Sequence, residues 1–421
     1  MWQNSEKVPF IALLAVLVHA AVPALAADWP QWRGPNRDGQ FAGPAWPEKL
    51  AALEPAWRVE LAPSYSGPVV VGSRVFTTET KDRQTEIVRA LDRATGRELW
   101  RAEWAGALSV PFFAKANGDW IRATPASDGE SLFVAGMRDV LVCLDAATGS
   151  NHWRRDFVKE LQTPLPDFGF VSSPLVTGDA VYVQAGAAVL KLDKRTGEVR
   201  WRALSDAGGM WGSAFSSPIL ARLAGTEQVV VQTRQLLAGL DPATGEVLWS
   251  QAVEAFRGMN ILTPVVFNDA VFTSTYGGRT ILFAVSQTNG QFRVTPAWNH
   301  KAQGNMTTPV IVDGHSYHLL RNQRALCLDL RTGAERWLTD ETFGKYWSLV
   351  AQGDRILALD QRGWLYLLRA MPERFTQLDA RRLTEAETWA HLAVTEEGLF
   401  VRELNALVAW RWTKQAAAKS N

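Results

Sequence analysis

One short motif recurs along the chain and constrains its fold more than any other feature. The pattern is Asp, two residues, Thr-Gly, three residues and Trp, and its complete copies begin at Asp92, Asp145, Asp193, Asp241 and Asp329. The first four copies begin 53, 48 and 48 residues apart. An active site is needed once, whereas a structural unit is repeated, so the motif indicates a repeat architecture.

The residues around each copy have the pattern of β-strands. Apolar and polar residues alternate in "AVLKLD" before the third copy and in "GEVRW" within it, which is the period of a half-buried strand. The motif is therefore predicted to be the tip of a hairpin. In such a turn the Asp and Thr side chains accept hydrogen bonds from backbone amides, and Gly adopts the positive φ that reversal of the chain direction requires.

A second marker precedes each hairpin and completes the repeating unit. Ser or Thr followed by Pro begins a short apolar segment at Thr124, Ser173, Ser217, Thr263 and Thr308, and proline fits the first position of a strand. One unit thus reads as four strands. A period near 48 residues without helical periodicity is typical of four-stranded propeller blades.

Eight such units can be counted, and they predict a closed ring. In two units, which we call worn, the motif is incomplete: the unit at Ser286 keeps only the Gly, and the unit at Arg369 keeps neither Thr nor Gly. The last unit ends at Trp412. Residues 56–61 resemble an outer strand with no blade before it, and closure would remove the exposed sheet edges. We therefore predict an all-β, eight-bladed propeller of four-stranded antiparallel blades over residues 56–412, closed by an N-terminal strand. Asp92 and Gly96 are predicted to form the turn, and the residues predicted to dock one blade on the next are Trp100, Trp153, Trp201, Trp249 and Trp337.

The two ends of the chain are predicted to lie outside the ring. Residues 1–26 have the pattern of a signal peptide cleaved after Ala26, with an apolar run over residues 10–22 that is short for a membrane span. Residues 27–55 are an N-terminal extension and 413–421 a flexible tail. We expect an exported, periplasmic or extracellular chain without a membrane span; a retained, uncleaved anchor is the alternative.

Charge and cysteine content exclude several classes of partner and linkage. Lys plus Arg is 44 and Asp plus Glu is 43, a balance that gives no electrostatic footprint for nucleic acid. Cys143 and Cys327 occupy equivalent positions, two residues before the repeat Asp, in two units that are four units apart in the ring. They would therefore lie on opposite sides of the ring. We predict two separate buried thiols and a monomeric protein.

The repeat resembles the tryptophan-docked propellers of the pyrroloquinoline-quinone (PQQ) repeat superfamily, over about residues 56–412. The stretch "DWPQWRGPNRDG" at residues 28–39 is similar to the start of many secreted bacterial members with this repeat. The superfamily includes quinoprotein alcohol dehydrogenases and non-catalytic propellers, such as the propeller lipoprotein of the outer-membrane β-barrel assembly machine. The resemblance implies the fold and leaves the function open.

A dehydrogenase would need PQQ with Ca²⁺, and the sequence lacks much of what that chemistry demands. The family's pocket includes a disulfide between adjacent cysteines, and this chain has no such pair. Asp28 and Trp29 resemble the start of the family's signature, but Gly34 comes one residue late. His315 and His318 lack partners at metal-ligand spacing, so we expect surface histidines, no metal and no cofactor.

The loops that enter the inner strands contain an unusual set of aromatic and polar residues. Because these loops gather at one mouth of a propeller, we predict a binding funnel there. Its candidate residues are Trp120, Arg122, Phe170, Trp211, Asn260, Asn305, Trp347 and Trp389; packing between blades is the alternative for each. We predict a non-catalytic scaffold of the bacterial cell envelope that binds a protein segment or a small ligand at this funnel. A PQQ- and calcium-dependent dehydrogenase of alcohols or sugars is the alternative.

Overall fold

The computed structural model describes residues 28–212 and 214–413, except for the side chains of Asn117 and Trp211. The predicted signal peptide, its cleavage site and all but the first residue of the predicted tail lie outside these ranges. The described residues form eight four-stranded antiparallel sheets, which confirms the predicted propeller. Within these ranges no helix is long and apolar enough to cross a membrane.

The blades follow one another along the chain, each from its inner to its outer strand, and only the last is completed by an earlier segment. Blade 8 takes its outer strand, β1 (Leu53–Glu60), from the N-terminal side of the ring. The bounds are: blade 1, β2 (Val69–Val71), β3 (Arg74–Lys81), β4 (Thr85–Asp92), β5 (Glu98–Ala105); blade 2, β6 (Ala126–Ser127), β7 (Ser131–Gly136), β8 (Val140–Asp145), β9 (Asn151–Asp156); blade 3, β10 (Leu175–Thr177), β11 (Ala180–Ala185), β12 (Ala188–Asp193), β13 (Val199–Ala203); blade 4, β14 (Ile219–Leu223), β15 (Thr226–Gln232), β16 (Leu236–Leu240), β17 (Val247–Ala252); blade 5, β18 (Val265–Phe267), β19 (Ala270–Ser274), β20 (Thr280–Thr288), β21 (Gln291–His300); blade 6, β22 (Val310–Val312), β23 (His315–Leu319), β24 (Ala325–Asp329), β25 (Glu335–Leu338); blade 7, β26 (Trp347–Gln352), β27 (Arg355–Asp360), β28 (Trp364–Arg369), β29 (Thr376–Arg382); blade 8, β30 (Ala393–Thr395), β31 (Gly398–Glu403), β32 (Ala406–Trp412).

Helical structure is confined to short segments outside the blades. One five-residue helix, α1 (Phe157–Leu161), follows blade 2, and its N-terminus is capped by the Asp156 side chain, which accepts the Lys159 amide. Short 3-10 helices occur at Leu50–Ala52, Phe112–Asn117, Gly209–Trp211 and Phe256–Gly258.

The predicted closure of the ring is confirmed. Strand β1 pairs antiparallel with β32 from Leu53 opposite Trp412 to Glu60 opposite Ala406. The strand begins within the segment predicted as extension, three residues before Ala56. With β1 in place the last blade has four strands like the others, and β32 is paired on both sides.

The repeated motif forms the tight turn between the third and outer strands. In the first copy the Asp92 carboxylate accepts the Ala94 and Thr95 amides and the Thr95 hydroxyl, at 3.1, 2.9 and 2.7 Å. These bonds, that from the Thr95 hydroxyl first, lower the pKa of Asp92. Gly96 closes the turn with φ of 74°, which glycine adopts at little cost.

The turn glycine also makes room for a tryptophan of the preceding blade. A Cβ atom built on Gly197 would lie 2.6 Å from the Trp153 ring. The Trp153 indole N–H donates to the carbonyl of Lys194 in the same turn, at 3.0 Å. The same ring-on-glycine contact joins Trp57 to Gly96, Trp100 to Gly149, Trp201 to Gly245 and Trp298 to Gly333.

Two of the predicted docking residues meet a worn turn and behave differently. Blade 5 lacks the motif, and the Trp249 indole donates instead to Gln228 of its own blade at 2.6 Å. Trp337 faces the other worn unit and donates to the Met371 carbonyl at 2.8 Å. Trp57 and Trp298 dock although the sequence did not predict it, because Trp57 precedes the first blade and Trp298 follows a worn motif.

The Ser/Thr-Pro marker forms a second ring of contacts, around the channel. We call the residue at this position in each blade the girdle: Gly67, Thr124, Ser173, Ser217, Thr263, Thr308, Ser348 and His391. In blades 1 to 5 its amide donates to the girdle hydroxyl of the next blade, as from Thr124 to Ser173 at 2.9 Å. In blades 1 to 6 a proline follows and adds no amide donor. The channel wall at this level therefore offers mainly carbonyl oxygens.

Residues 28–41, which we call the plug, fill the channel from the side of the repeated turns. Asp28 accepts the amide of Gly72, in the turn after β2, at 3.0 Å. Trp29 exchanges two backbone hydrogen bonds with Val70, at 2.8 and 3.0 Å. At the other end of the plug Phe41 donates to Ala351 of blade 7. Part of the segment predicted as an extension thus lies inside the ring.

Two plug arginines bind the carbonyl-rich wall. Arg37 donates to the Ser173 and Pro174 carbonyls at 3.0 and 2.5 Å, and Arg33 donates to the Thr308 and Pro309 carbonyls at 3.0 and 2.7 Å. Among the described residues, every acceptor of these guanidinium groups is a neutral oxygen. Burial lowers the pKa of Arg33 to about 10 and that of Arg37 to about 9, so both are cations at neutral pH.

Two expectations about side chains have opposite outcomes. Cys143 and Cys327 are free and buried, as predicted, and lie in separate hydrophobic clusters. The expectation that His318 is a surface residue is wrong. Its side chain packs edge-on against Phe272, and burial lowers its pKa to about 3, so this histidine is a neutral core residue.

The contact between tryptophan and turn predicts unequal costs for two glycine substitutions. Gly178 has φ of 56° and nothing within 4 Å of its built Cβ, whereas Gly197 has φ of 71° and meets Trp153. We expect Gly178→Ala to lower the free energy of unfolding by about 1 kcal/mol and Gly197→Ala by about 3 kcal/mol, because only the latter adds overpacking to backbone strain. Urea unfolding measures both, and equal losses would contradict the docking.

The plug predicts that one buried arginine matters more than an exposed one. Arg37→Ala leaves the Ser173 and Pro174 carbonyls without their donors, and we expect it to lower the free energy of unfolding by about 2 kcal/mol. The exposed Arg195 is the control, and Arg195→Ala should change stability by less than about 0.5 kcal/mol. Equal effects of the two substitutions in urea unfolding would show that the plug does not stabilise the ring.

Candidate functional site

The loops from each outer strand to the next inner strand gather at the end of the channel opposite the plug backbone, and we call this end the mouth. Four aromatic residues from blades 1, 2, 7 and 8 form an arc there, the half-ring: Tyr65, Trp120, Tyr346 and Trp389. The Trp389 ring lies 6.1 Å from Tyr65 and 6.3 Å from Tyr346. The Tyr65 hydroxyl lies beside the Trp120 indole. All but Tyr346 are partly exposed.

One cation, Arg122, lies beside the half-ring. Arg122 donates to the Gly118 carbonyl at 2.8 Å and to the Trp120 carbonyl at 3.3 Å. Burial of its guanidinium lowers the pKa of Arg122 to about 10, so it is charged at neutral pH.

Trp32 of the plug closes the floor of the mouth. Its ring packs edge-on against His391 of blade 8 at 4.9 Å, and its indole N–H donates to Thr263 of blade 5 at 3.2 Å. The indole thus spans the channel at the level of the girdle. Sequence reasoning missed Trp32 because it lies far from the repeats that surround it.

The structure brings only some of the predicted funnel residues together. Trp120, Arg122 and Trp389 meet around Tyr65, a residue that the sequence did not predict for the funnel. Phe170 and Trp347 are instead buried between blades, in two hydrophobic clusters, so the expectation that they line the mouth is wrong and the packing alternative applies to them.

The amides also differ from the prediction. Asn260 is buried and donates to the backbone carbonyls of Thr233 and Arg234, at 3.1 and 3.0 Å, so it fixes a loop and does not present its amide to the mouth. Asn305 is half-buried on the loop between blades 5 and 6. The Trp211 side chain lies outside the described part of the structure.

The rim of the mouth continues across blades 2 to 4 as a second aromatic row, which we call the ladder. It consists of Phe112, Phe113, Phe168 and Phe215, whose successive ring centroids are 5.6, 6.4 and 5.6 Å apart. Phe112 is 84% exposed and Phe113 56% exposed. Phe168 and Phe215 are half-buried, so the exposed part of the row is its outer end, Phe112 and Phe113.

A cofactor of the quinoprotein type does not fit these residues. Within residues 28–212 and 214–413, no group of three or more His, Cys, Asp or Glu side chains could hold a metal ion, and Ca²⁺ needs several carboxylates. Trp32 and the two plug arginines occupy the channel at the girdle. Asp28 and Trp29, the residues that resemble the quinoprotein signature, are used to anchor the plug.

Comparison with known sequences identifies a family. The family model described as outer membrane protein assembly factor BamB matches residues 84–339. An outer membrane protein assembly factor BamB of Yersinia pestis is 26% identical over 310 residues, which cover 66% of this chain and 75% of that relative. The relatives' name supports the coarser prediction of an exported propeller scaffold of the cell envelope.

Solved structures share the fold at low sequence identity. BamB from Moraxella catarrhalis has a TM-score of 0.63 at 15% identity, covering 86% of this chain and 98% of that one. A quinohemoprotein alcohol dehydrogenase from Pseudomonas putida HK5 has a TM-score of 0.52 at 12% identity, covering 94% and 81%. These likenesses show the architecture alone, which catalytic and non-catalytic proteins share.

The matched residues 84–339 contain all the complete motifs, which begin at Asp92, Asp145, Asp193, Asp241 and Asp329. The described residues form eight four-stranded blades. The chain therefore belongs to the family of PQQ-repeat propellers described by outer membrane protein assembly factor BamB.

Proposed function

We propose that this protein is a non-catalytic scaffold of the cell envelope that binds a segment of another protein at the aromatic rim of its mouth. The observation that carries the proposal is the ladder, whose outer members Phe112 and Phe113 are 84% and 56% exposed. Rigid aromatic side chains are the commonest anchors of protein interfaces, because they bury a large area for little loss of side-chain entropy.

The geometry of the mouth supports a protein segment as the ligand. The ladder and the half-ring come from loops of blades 1 to 4, 7 and 8, so the aromatic surface extends over much of the rim. Arg122 supplies a fixed donor beside the half-ring. A broad, shallow and largely apolar surface suits an extended or looped polypeptide.

The relatives support an envelope partner. They are named outer membrane protein assembly factors, and a factor that assists the assembly of other proteins has to contact proteins. The proposal includes removal of the signal peptide, a periplasmic or extracellular location, and a protein of the envelope as the partner.

Photo-crosslinking from the ladder tests the proposal in intact cells. A photoreactive phenylalanine analogue in place of Phe113 should crosslink to a defined envelope protein. The same analogue in place of Val247, which is 41% exposed on the outer strand β17, is the control and should not crosslink to that protein.

The captured partner then allows a quantitative measurement. We expect Phe112→Ser with Phe113→Ser to weaken its binding at least tenfold, because two anchor side chains lose their apolar contacts, while Val247→Ser leaves the dissociation constant within a factor of two. Identical crosslinks from both positions, or unchanged affinity of the ladder variant, would refute the rim as the binding surface.

A further inference from the structure

A separate cleft opens beyond the ladder, between the end of blade 5 and the outer half of blade 6. Its volume is about 470 Å³, within the range of small-molecule sites. Three pieces of chain enclose it: residues 300–303 after β21, residues 320–322 between β23 and β24, and Glu335 and Leu338 of β25. The Arg321 amide donates to the Gln303 carbonyl at 3.0 Å, which holds two of these pieces together.

Two cations face this cleft without a carboxylate partner. Lys301 and Arg321 are exposed, and neither forms an ion pair within the described ranges 28–212 and 214–413. Arg321 is nevertheless held in place, because its guanidinium lies 4.4 Å from the centre of the Tyr276 ring and donates to the Tyr276 hydroxyl at 3.3 Å. A guanidinium that is fixed before binding loses less side-chain entropy when it meets an anion.

The one acid of the cleft has its own partner. A carboxylate oxygen of Glu335 lies 3.5 Å from Nε2 of His300. Nδ1 of His300 accepts the Ala302 amide at 3.1 Å, so Nε2 carries the ring hydrogen and points to Glu335. Glu335 forms no ion pair with Lys301 or Arg321 among the described residues, so two cations and one carboxylate line the cleft and its net charge is positive.

The remaining walls are apolar or neutral. Leu320 is 5% exposed, Leu338 and Ala302 are half-buried, and the amides of Gln303 and Asn322 complete the lining. Cations at the edge of a partly apolar cleft of this size suit an anion with a short hydrocarbon part.

We propose that the cleft between blades 5 and 6 binds a carboxylate that bears a short apolar group. Arg321 and Lys301 hold the carboxylate, and Leu320, Leu338 and Ala302 contact the apolar part. A small organic acid and the C-terminal residue of a peptide share this chemistry. The site is distinct from the ladder, so it takes its ligand whether or not a protein segment occupies the rim.

Titration of the purified full-length chain with four small probes tests the proposal. N-acetyl-leucine represents a peptide C-terminus and hexanoate a small organic acid; N-acetyl-leucine amide removes the charge, and acetate removes the apolar part. Calorimetry should show N-acetyl-leucine or hexanoate binding at least tenfold more tightly than both the amide and acetate. The source is a peptide end if N-acetyl-leucine is the tighter of the two, and a small acid if hexanoate is.

Matched charge variants locate the binding. Arg321→Gln and Lys301→Gln should each weaken the tighter carboxylate at least tenfold. Arg336→Gln is the control, because Arg336 is exposed on the same strand as Glu335 but does not line the cleft, and it should leave the affinity unchanged. All three residues are exposed, so thermal unfolding should confirm that the variants fold. Equal binding of the amide, absence of binding by both carboxylates, or equal effects of Arg321→Gln and Arg336→Gln would overturn the proposal.

Discussion

Every inner strand of a propeller has one edge that no other strand covers, and the rest of this structure depends on how those eight edges are satisfied. An unpaired backbone amide in a narrow, largely dry channel is costly. Here the girdle removes donors in two ways: hydroxyls of the next blade accept amides, as Ser173 accepts Thr124, and prolines carry no amide hydrogen. The plug then supplies donors for the carbonyls that remain, through Arg33 and Arg37.

This arrangement also explains why two cations are buried without acids. A guanidinium has five N–H donors in a plane, and the carbonyl dipoles at Ser173 and Pro174, and at Thr308 and Pro309, are directed toward it. Partial negative charges on neutral oxygens offset the desolvation that lowers the pKa of both arginines. The plug is thus matched to the channel by the placement of its guanidinium donors.

The sequence predicted the ring well because the repeat encodes it locally. Asp92, Thr95 and Gly96 form their turn from neighbouring atoms, and the period then sets the number of blades. The sequence could not predict the plug, because Arg33 binds main-chain carbonyls 275 and 276 residues away, and the Ser/Thr-Pro marker that carries them occurs in several blades. The sequence also could not tell which loop aromatics lie at the mouth and which lie in the core. Phe170 and Trp389 occupy comparable loops, but Phe170 packs between blades and Trp389 lies beside Tyr65.

Ring closure by β1 and the plug has a kinetic consequence. The N-terminal segment is synthesised first, yet its partners include Asp379, 329 residues along the chain, and Thr413, 361 residues from Ala52. Contacts this distant in sequence form slowly. Until the last blade is made, β1 has no strand to pair with and Trp57 lacks its contact with Phe400. A protein of this design therefore completes its fold only after its last blade has been made, unlike a repeat array that forms blade by blade.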